Sequence, residues 1–240
     1  MTIIYEPKGK AREYCALAAN LYSGCPHGCS YCYAPKFTYK SKEEFLKVRQ
    51  REHIIDQIQK EAPQYKNKEI HLCFTCDPYP GIEKTLNLTR NVIKILHANN
   101  IKSIILTKAG MESIKDFDLL TKNKSLSKYG ASLTFSKKED SLREEPFAAT
   151  PKSRIKALKI AKEMNIPTWA SFEPVISTEQ TLELIETSLG IVDEFKIGKL
   201  NHDIREKNIN WKTFAKNVIK IFEKNNIKNY YLKNDLRAFL

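Results

Sequence analysis

Three cysteines lie close together near the start of the chain. The segment NLYSGCPHGCSYCYAP places Cys25, Cys29 and Cys32 within one loop, with gaps of three and then two residues. Thiolates are the preferred ligands of iron–sulfur clusters, and Gly24 and Gly28 allow the backbone to come close to the sulfides. A [4Fe–4S] cluster held by three thiolates keeps one iron free for an outside ligand. The spacing therefore predicts a cluster with an open coordination position.

A zinc site is the structural alternative, with His27 or a distant residue as its fourth ligand. Zinc sites usually combine two pairs of closely spaced cysteines, and the sequence offers no second pair at a matching distance. Cys73 and Cys76 have a suitable spacing but fall on a predicted strand, whose alternation would point them to opposite faces. Cys15 is predicted to be an ordinary buried cysteine. The pattern favours an iron–sulfur cluster over zinc.

The composition is that of a soluble globular protein, with 42% hydrophobic and 28% charged residues. No apolar run approaches the roughly 20 residues that cross a bilayer, and the N-terminus lacks the features of a signal peptide. We therefore expect a cytosolic protein with no membrane segment. In that reducing compartment, six cysteines indicate metal or redox chemistry rather than disulfides.

The formal net charge is +12, and a basic surface attracts phosphate, so DNA or RNA is a candidate partner. Lysine supplies most of the excess, however, whereas arginine is the residue whose planar fork matches phosphates and guanines. The lysines are also spread over nearly every segment, as an AT-rich genome would produce. The charge supports a polyanionic partner without identifying it.

Short β-branched runs alternate with amphipathic stretches along the chain. The predicted strands after the cysteine loop are 69–75, 103–108, 130–135, 167–174, 192–198 and a terminal NYYLK. The predicted helices cover a region opened by a Ser41–Glu44 capping box, then about 85–98, 112–120, 151–164, 178–189 and 210–225. This alternation predicts a parallel sheet with right-handed crossovers. About six units are visible, fewer than the eight of a closed barrel.

We therefore predict an α/β fold, a partial (β/α)6 TIM-like barrel in one domain over 1–240. Its core covers about 15–200, and 201–240 add a helix and a strand. The cysteine loop follows the first strand, Asp77 the second, Lys108 the third and Glu173 the fifth. Because the carboxyl ends of parallel strands meet at one edge, the chemistry is expected there.

CPHGCSYC fits the C-x3-C-x-aromatic-C signature of radical S-adenosylmethionine (SAM) enzymes, and within them the chain resembles the spore photoproduct lyase group. The resemblance includes FTCDPYPGIE, IILTKAG, ASLTF and EEPFAATPKSRIKAL, and covers roughly 15–200. It implies that Cys25, Cys29 and Cys32 bind a [4Fe–4S] cluster whose free iron is chelated by the methionine part of SAM. One electron from a flavodoxin- or ferredoxin-type reductant would then break a carbon–sulfur bond, giving a 5′-deoxyadenosyl radical that abstracts hydrogen.

The resemblance also implies roles for single residues. Tyr31 matches the aromatic residue near the adenine. Asp77 lies where relatives receive the methionine amino group, although it could instead cap the next helix. Lys108 matches a lysine for the cofactor carboxylate, and Ser132 a serine that contacts the cofactor. Glu173 would bind the ribose or the substrate from the barrel mouth, with a helix cap as the alternative.

The chain departs from the lyases at the residue that returns hydrogen to the repaired base. Those enzymes have a cysteine at the end of the second strand, where this chain has Phe74. Cys73, one residue earlier, should point to the other face of the strand. Cys76 lies in the following loop, where it could approach the substrate as a catalytic thiol. Repair of spore photoproduct is therefore not the favoured function.

Other side chains have less specific roles. Arg154 could pair with Glu144 or Glu145. Three residues follow the sixth strand and could line the substrate opening: Asn201, His202 and Asp203. Four aromatic residues could stack on bases, although such dispersed aromatics are more typical of core packing: Tyr33, Tyr79, Trp169 and Trp211.

Two hypotheses follow from the sequence. The first is a monomeric radical SAM enzyme, lyase-like or with another radical reaction, which acts on a nucleic acid or another substrate. The second is a nucleic-acid-binding protein whose cluster is structural or senses redox state. Release of 5′-deoxyadenosine and methionine by the reduced protein would distinguish the first from the second.

Overall fold

The computed structural model describes residues 2–201 and 203–240. The strands are β1 (Ile4–Tyr5), β2 (Ala18–Ala19), β3 (Tyr22–Ser23), β4 (Arg49–Gln50), β5 (Glu69–Leu72), β6 (Lys102–Thr107), β7 (Ser127–Ser132), β8 (Thr168–Val175), β9 (Glu194–Lys199) and β10 (Tyr230–Leu232). The helices are α1 (Ala34–Phe37), α2 (Lys42–Leu46), α3 (Ile54–Glu61), α4 (Glu83–Leu86), α5 (Leu88–Ala98), α6 (Phe117–Lys122), α7 (Lys138–Glu144), α8 (Pro151–Glu163), α9 (Thr178–Thr187), α10 (Trp211–Lys224) and α11 (Asn234–Arg237). Short 3-10 segments occupy Gly9–Glu13, Ala62–Tyr65, Gly110–Asp116, Lys124–Leu126 and Ile204–Asn208.

One sheet organises the described residues, with the strand order β1-β2-β5-β6-β7-β8-β9-β10. Every neighbouring pair from β2 to β10 is parallel, and β1 pairs antiparallel with β2. β3 and β4 form a separate antiparallel pair. β1 and β10 remain as the two edges, so the barrel is open. The predicted partial barrel is confirmed, from β2 to β9, with β10 added by the C-terminal extension.

The structure differs from the prediction where single residues adopt the left-handed conformation. The second predicted strand ends at Leu72, because Cys73 has a φ of +67° and leaves the extended region. The helix predicted over 85–98 is divided into α4 and α5 at Asn87, whose φ is +50°. The helix predicted over 112–120 begins as the 3-10 segment Gly110–Asp116. The strand is thus shorter than predicted, the first of these helices is divided, and the second begins in a tighter helical form.

Two predicted helix starts are confirmed. Ser41 caps α2 and forms a complete capping box with Glu44. α8 begins at Pro151, and the side chain of Thr150 accepts a hydrogen bond from the amide of Ser153. Proline fits the first turn because its position needs no amide donor. These caps satisfy amide groups that would otherwise lack partners at the helix start.

The helices cover the sheet by burying one face. Leu88, Val92, Ile93 and Leu96 of α5 are buried in the core, whereas Ile95 is only half-buried. The buried cluster continues into the C-terminal extension through β10, α10 and α11. Across the described ranges, no helix combines the length and the apolar character needed to cross a membrane.

Candidate active site

The cysteine loop lies between β3 and α1 and is fixed by backbone hydrogen bonds on both sides. The amide of Cys25 donates to the carbonyl of Phe45 (2.8 Å), and that of Ser30 to the carbonyl of Glu144 (2.8 Å). The carbonyl of His27 accepts from the amide of Phe147 (3.2 Å). The thiols of the three cysteines are free and half-buried. The loop therefore has a defined shape before any cofactor is considered.

The two glycines of the loop are required by this packing. Gly24 has a φ of +87°, and a Cβ there would lie 2.6 Å from the carbonyl oxygen of Phe45. Gly28 has a φ of +65°, and its Cβ would press on the ring of Phe147 at 3.2 Å. Side chains at either position would push the loop away from its neighbours. This packing requires glycine at both positions, and the predicted approach of the backbone to the sulfides stays a prediction.

The chemistry of the loop fits a cluster. Burial raises the pKa of Cys25 well above its usual value and that of Cys29 to about 11. Burial also raises the pKa of Cys32, while Lys108 favours the thiolate form of Cys29 and Cys32. Buried thiolates need a compensating positive charge, which bound iron supplies.

The geometry of the site favours a cluster over zinc. In the part of the chain that the structure describes, no three His, Cys, Asp or Glu side chains converge as the ligands of one metal ion do. Thiolates that bind different irons of a cubane need no such convergence. His27, one of the candidates for a fourth zinc ligand, has protein oxygens close to both ring nitrogens: Nε2 lies 2.9 Å from Asp77 Oδ2, and Nδ1 lies 3.3 Å from the carbonyl of Phe147.

Asp77, in the loop after β5, connects several segments. Its Oδ1 accepts hydrogen bonds from the amide of Tyr79 (2.8 Å) and the hydroxyl of Thr107 (2.7 Å), and its Oδ2 from the amide of Lys108 (2.8 Å). Burial alone would raise the pKa of Asp77, but His27 and these donors hold it below its usual value. A methionine ammonium would have to share these oxygens, so the predicted cofactor contact stays a prediction.

Lys108, Tyr31 and Glu145 form a charged group next to the cysteines. The Lys108 ammonium lies 3.8 Å from Glu145 and 5.6 Å from the centre of the Tyr31 ring. Tyr31 donates a hydrogen bond to Glu145, and Arg154, only 1% exposed, pairs with the same carboxylate. The pairing of Arg154 with Glu145 is confirmed. Burial opposes ionisation of Glu145, but Arg154 and Lys108 keep its pKa below the usual range.

Ser132 is the last residue of β7 and stands level with Ser171 of β8. Its carbonyl oxygen accepts a hydrogen bond from Arg154 Nη1 at 3.0 Å. The guanidinium that neutralises Glu145 therefore also fixes the end of β7. Arg154 therefore contacts both Ser132 and Glu145, and Glu145 in turn lies next to Lys108, so the two predicted cofactor-binding residues are connected.

Glu173 lies near the end of β8 and is held by both ends of the chain. Its carboxylate accepts from Lys233 (2.9 and 3.0 Å) and from the hydroxyl of Tyr14. The helix-cap alternative is wrong, because Ser177 caps α9. Sequence reasoning missed Lys233 and Tyr14. The sequence did contain a signal for Lys233: if the strand NYYLK lies beside the sixth strand, its lysine comes to the same end of the sheet as Glu173.

Cys73 and Cys76 correct the prediction that strand alternation separates them. The left-handed conformation of Cys73 ends β5, and Cys73 lies close enough to Cys76 to shift the pKa of its thiol. Burial and this contact raise the pKa of Cys76 well above its usual value. Phe74 stacks on His71 with ring centres 4.3 Å apart, and its amide donates to Asn20. The thiols therefore form a pair beneath the loop that contains Phe74.

Of the four aromatic residues considered for base stacking, Tyr79, Trp169 and Trp211 are buried. Tyr33 is 46% exposed, and its hydroxyl donates to the carbonyl of Phe74 at the barrel mouth (3.0 Å). Among the residues predicted to line the opening, Asn201 and Asp203 follow β9, and His202 lies outside the described residues. Tyr33 is thus the aromatic residue of this set that is available at the mouth.

Comparison with known families is decisive for the class of protein. Residues 19–190 match the model of the radical SAM superfamily. The chain belongs to the radical SAM superfamily. Membership implies a [4Fe–4S] cluster and SAM as cofactors, and the three-cysteine loop is the part of this radical SAM protein that fits the cluster.

Two relatives share sequence with this radical SAM protein. The uncharacterized protein MJ0683 of Methanocaldococcus jannaschii is 33% identical over 163 residues, which cover 65% of this chain and 59% of that protein. The uncharacterized protein ORF301 of Acidianus two-tailed virus is 26% identical over 191 residues, which cover 73% of this chain and 61% of that protein. This chain therefore spans about three-fifths of the length of the curated relatives it matches.

Solved structures show the same fold at low identity. Spore photoproduct lyase complexed with dinucleoside spore photoproduct superposes with a TM-score of 0.70 at 13% identity, over 95% of this chain and 79% of that one. Streptococcus suis SuiB bound to S-adenosylmethionine gives a TM-score of 0.67 at 15% identity, over 90% of this chain and 50% of that one. Both comparisons support the radical SAM partial barrel.

Proposed function

We propose that this protein cleaves SAM reductively and acts on a nucleic-acid substrate. The observation that carries the proposal is the loop of Cys25, Cys29 and Cys32, half-buried and close to the Lys108 ammonium. When bound, the cluster and SAM supply a 5′-deoxyadenosyl radical that abstracts hydrogen from the substrate. The reaction on the substrate, lyase-like or other, is the second part of the proposal.

The chain's own residues bind and orient the cofactors. The three thiolates hold the cluster, and Lys108 offers a cation to the carboxylate of the methionine moiety. Ser132 and Glu173, at the ends of β7 and β8, would offer polar contacts to the rest of SAM. Tyr31 stabilises the cysteine loop through its hydrogen bond to Glu145. The partial burial of this group limits the access of water, which strengthens the charge interactions inside it.

An external one-electron reductant of the flavodoxin or ferredoxin type is part of the proposal. Lys42 is exposed and lies near enough to Cys32 to favour its thiolate form. A positive surface next to the cluster loop would attract an acidic electron-transfer protein. A reducing compartment suits both the free thiols and this partner, so we place the protein in the cytosol.

The nucleic-acid substrate is supported by an aromatic–lysine segment (residues 33–42) next to the mouth. Tyr33 packs edge-on against Phe37, with ring centres 5.7 Å apart, and both rings are exposed. Lys36 and Lys42 add exposed positive charge. Bases stack on such rings while lysines attract the phosphates, which together bind single strands without sequence preference.

Cys76 is proposed as the catalytic thiol: its S–H bond would break as a hydrogen atom passes to the substrate radical, and one electron from the external reductant with a solvent proton would restore the thiol from the thiyl radical. Burial and the contact with Cys73 raise its pKa, so the thiol keeps the S–H hydrogen that such a step requires. In solvent D2O, the wild-type protein should then place deuterium in the product. The Cys76→Ala variant should still release 5′-deoxyadenosine, but its product should carry less deuterium.

The decisive experiment measures 5′-deoxyadenosine and methionine released by anaerobically reconstituted, dithionite-reduced protein. One structural neighbour holds a dinucleoside and another a precursor peptide, so single-stranded DNA, RNA and peptides are the substrates to compare. We expect nucleic acid to stimulate or suppress the release and peptides to leave it unchanged. Cleavage that responds to peptides alone would contradict the substrate class. An intact cluster with salt-dependent DNA binding and no cleavage would favour a nucleic-acid-binding protein with a structural or redox-sensing cluster.

Matched variants test the binding surface. Tyr33→Leu and Phe37→Leu should each weaken binding of single-stranded nucleic acid by about 1–3 kcal/mol, the range of one lost stacking contact. Tyr65→Leu is the control, because Tyr65 ends the 3-10 segment before β5 and therefore lies at the amino-terminal end of the parallel strands, opposite the mouth. Equal loss in all three variants would contradict the assignment of the aromatic–lysine segment.

A further inference from the structure

His27 lies inside the cysteine loop, between Cys25 and Cys29. Its Nε2 is 2.9 Å from Asp77 Oδ2, and the two side chains are 8% and 5% exposed. We propose that His27 is a positioning residue for the iron–sulfur cluster: its contact with Asp77 holds the cysteine loop against the carboxyl ends of β5 and β6.

The partners of Asp77 explain why this contact matters. The same carboxylate accepts the hydroxyl of Thr107, the last residue of β6, and the amide of Lys108. His27 is therefore joined through one carboxylate to two strand ends. The backbone hydrogen bonds described for the loop go instead to Phe45, Glu144 and Phe147, which lie outside the strands. The His27–Asp77 contact thus fixes the loop relative to the sheet, where SAM would be bound.

The environment of the ring favours this role over direct contact with the cluster. Nδ1 of His27 lies 3.3 Å from the carbonyl of Phe147 and Nε2 lies 2.9 Å from Asp77 Oδ2, so protein oxygens are close to both ring nitrogens. Replacing the imidazole removes a spacer between the loop and Asp77 without removing a thiolate. The cluster should still assemble but should be held less tightly and in a less uniform geometry. Partners that orient metal ligands typically contribute about 10–100-fold to metal affinity.

The test compares His27→Ala and His27→Gln with wild type after anaerobic reconstitution. Iron transfer to a chelator should be about 10-fold or more faster in His27→Ala. His27→Gln should recover part of the difference, because its amide can donate to Asp77. The electron paramagnetic resonance spectrum of the reduced cluster should broaden or shift in His27→Ala. His53→Gln is the matched control, since His53 is exposed and its side chain caps no helix amide.

A double variant tests the pairing itself. If His27 acts through Asp77, adding His27→Ala to Asp77→Asn should accelerate iron loss no further than Asp77→Asn alone. The proposal would be overturned if the two substitutions multiply each other's effect on the rate of iron loss. It would also be overturned if the His27→Ala variant loses iron at the wild-type rate and has an unchanged spectrum. If His27→Ala fails to fold, judged by circular dichroism of the cluster-free protein, His27→Gln carries the test: a normal rate and spectrum in the His27→Gln and Asp77→Asn variants would overturn it. These measurements need no substrate, so their outcome is independent of the proposed nucleic-acid reaction.

Discussion

Removing the guanidinium of Arg154 should destabilise the protein strongly and in a pH-dependent way. Arg154 is 1% exposed and Glu145 is fully buried, and the two form a salt bridge. The guanidinium also donates to the carbonyls of Ala149 (2.7 Å) and Ser132 (3.0 Å). Arg154→Met keeps much of the side-chain volume but leaves the carboxylate and both carbonyls without this donor.

The magnitude follows from the charges that remain. Breaking a buried ion pair by removing one partner costs about 3–5 kcal/mol, because an uncompensated charge stays buried. Lys108 lies 3.8 Å from Glu145 and Tyr31 still donates to it, which compensates part of the loss. The unpaired carbonyls add to the loss. We therefore expect the free energy of unfolding to fall by about 4 kcal/mol at pH 7.

The pH dependence has a definite sign. In the wild type, Glu145 has a lowered pKa, so it contributes stability above its unfolded pKa of about 4.3, and that stability is lost as the pH falls through the lower folded value. Without Arg154, burial dominates and the folded pKa rises above about 4.3. The ionised carboxylate then becomes a cost that grows as the pH rises. The difference between wild type and variant should be smallest near pH 4 and largest near pH 7.

Urea unfolding of the reduced, cluster-free protein, followed by circular dichroism between pH 4 and pH 7, measures this difference. Arg143→Met is the control: its side chain is 64% exposed and lies 2.6 Å from Asp140. Exposed pairs contribute at most about 1 kcal/mol, so the control should change little. A loss below about 1 kcal/mol in Arg154→Met, or a loss that does not vary with pH, would refute the reasoning.

Three further predictions concern the site. The Cys29→Ser variant should lose most of its iron and cleave no SAM, whereas the Cys15→Ser variant should keep its iron and still cleave SAM. Iron and sulfide analysis, together with the release of 5′-deoxyadenosine, measures both properties. Gly24→Ala should lower stability by about 1–3 kcal/mol and speed iron loss, because its Cβ would lie 2.6 Å from a backbone oxygen; unchanged urea unfolding would contradict this. Lys233→Met should lower thermal stability, since Lys233 is 3% exposed and is the cation beside Glu173, and a melting temperature equal to wild type would disprove that role.

The sequence identified the elements with strong local signals. β-branched runs located the strands from β5 to β9, and the Ser41 capping box and Pro151 located two helix starts. The spacing of the cysteines identified the cluster loop because thiolates this close in sequence must be close in space. Arg154 paired with one of the two glutamates considered, since buried opposite charges compensate each other.

The remaining features depend on contacts that no local pattern encodes. Cys73 adopts a left-handed conformation that is rare outside glycine, so nothing in EIHLCFT predicts an end at Leu72. Asn87 did carry a signal, because asparagine tolerates this conformation, and the break between α4 and α5 follows from it. The contacts of His27 with Asp77 and of Lys233 with Glu173 join residues far apart in sequence. Only the register of the sheet brings these pairs together.

The attachment of Glu173 to both ends of the chain has a consequence for biosynthesis. Tyr14 leaves the ribosome long before Lys233 does, yet both bind the same carboxylate. On a nascent chain that has reached only β8, Glu173 lacks its cation, so the mouth cannot adopt its final form. Contacts between such distant residues form late in folding. Until β10 is translated, the end of β8 therefore carries a carboxylate without its cation.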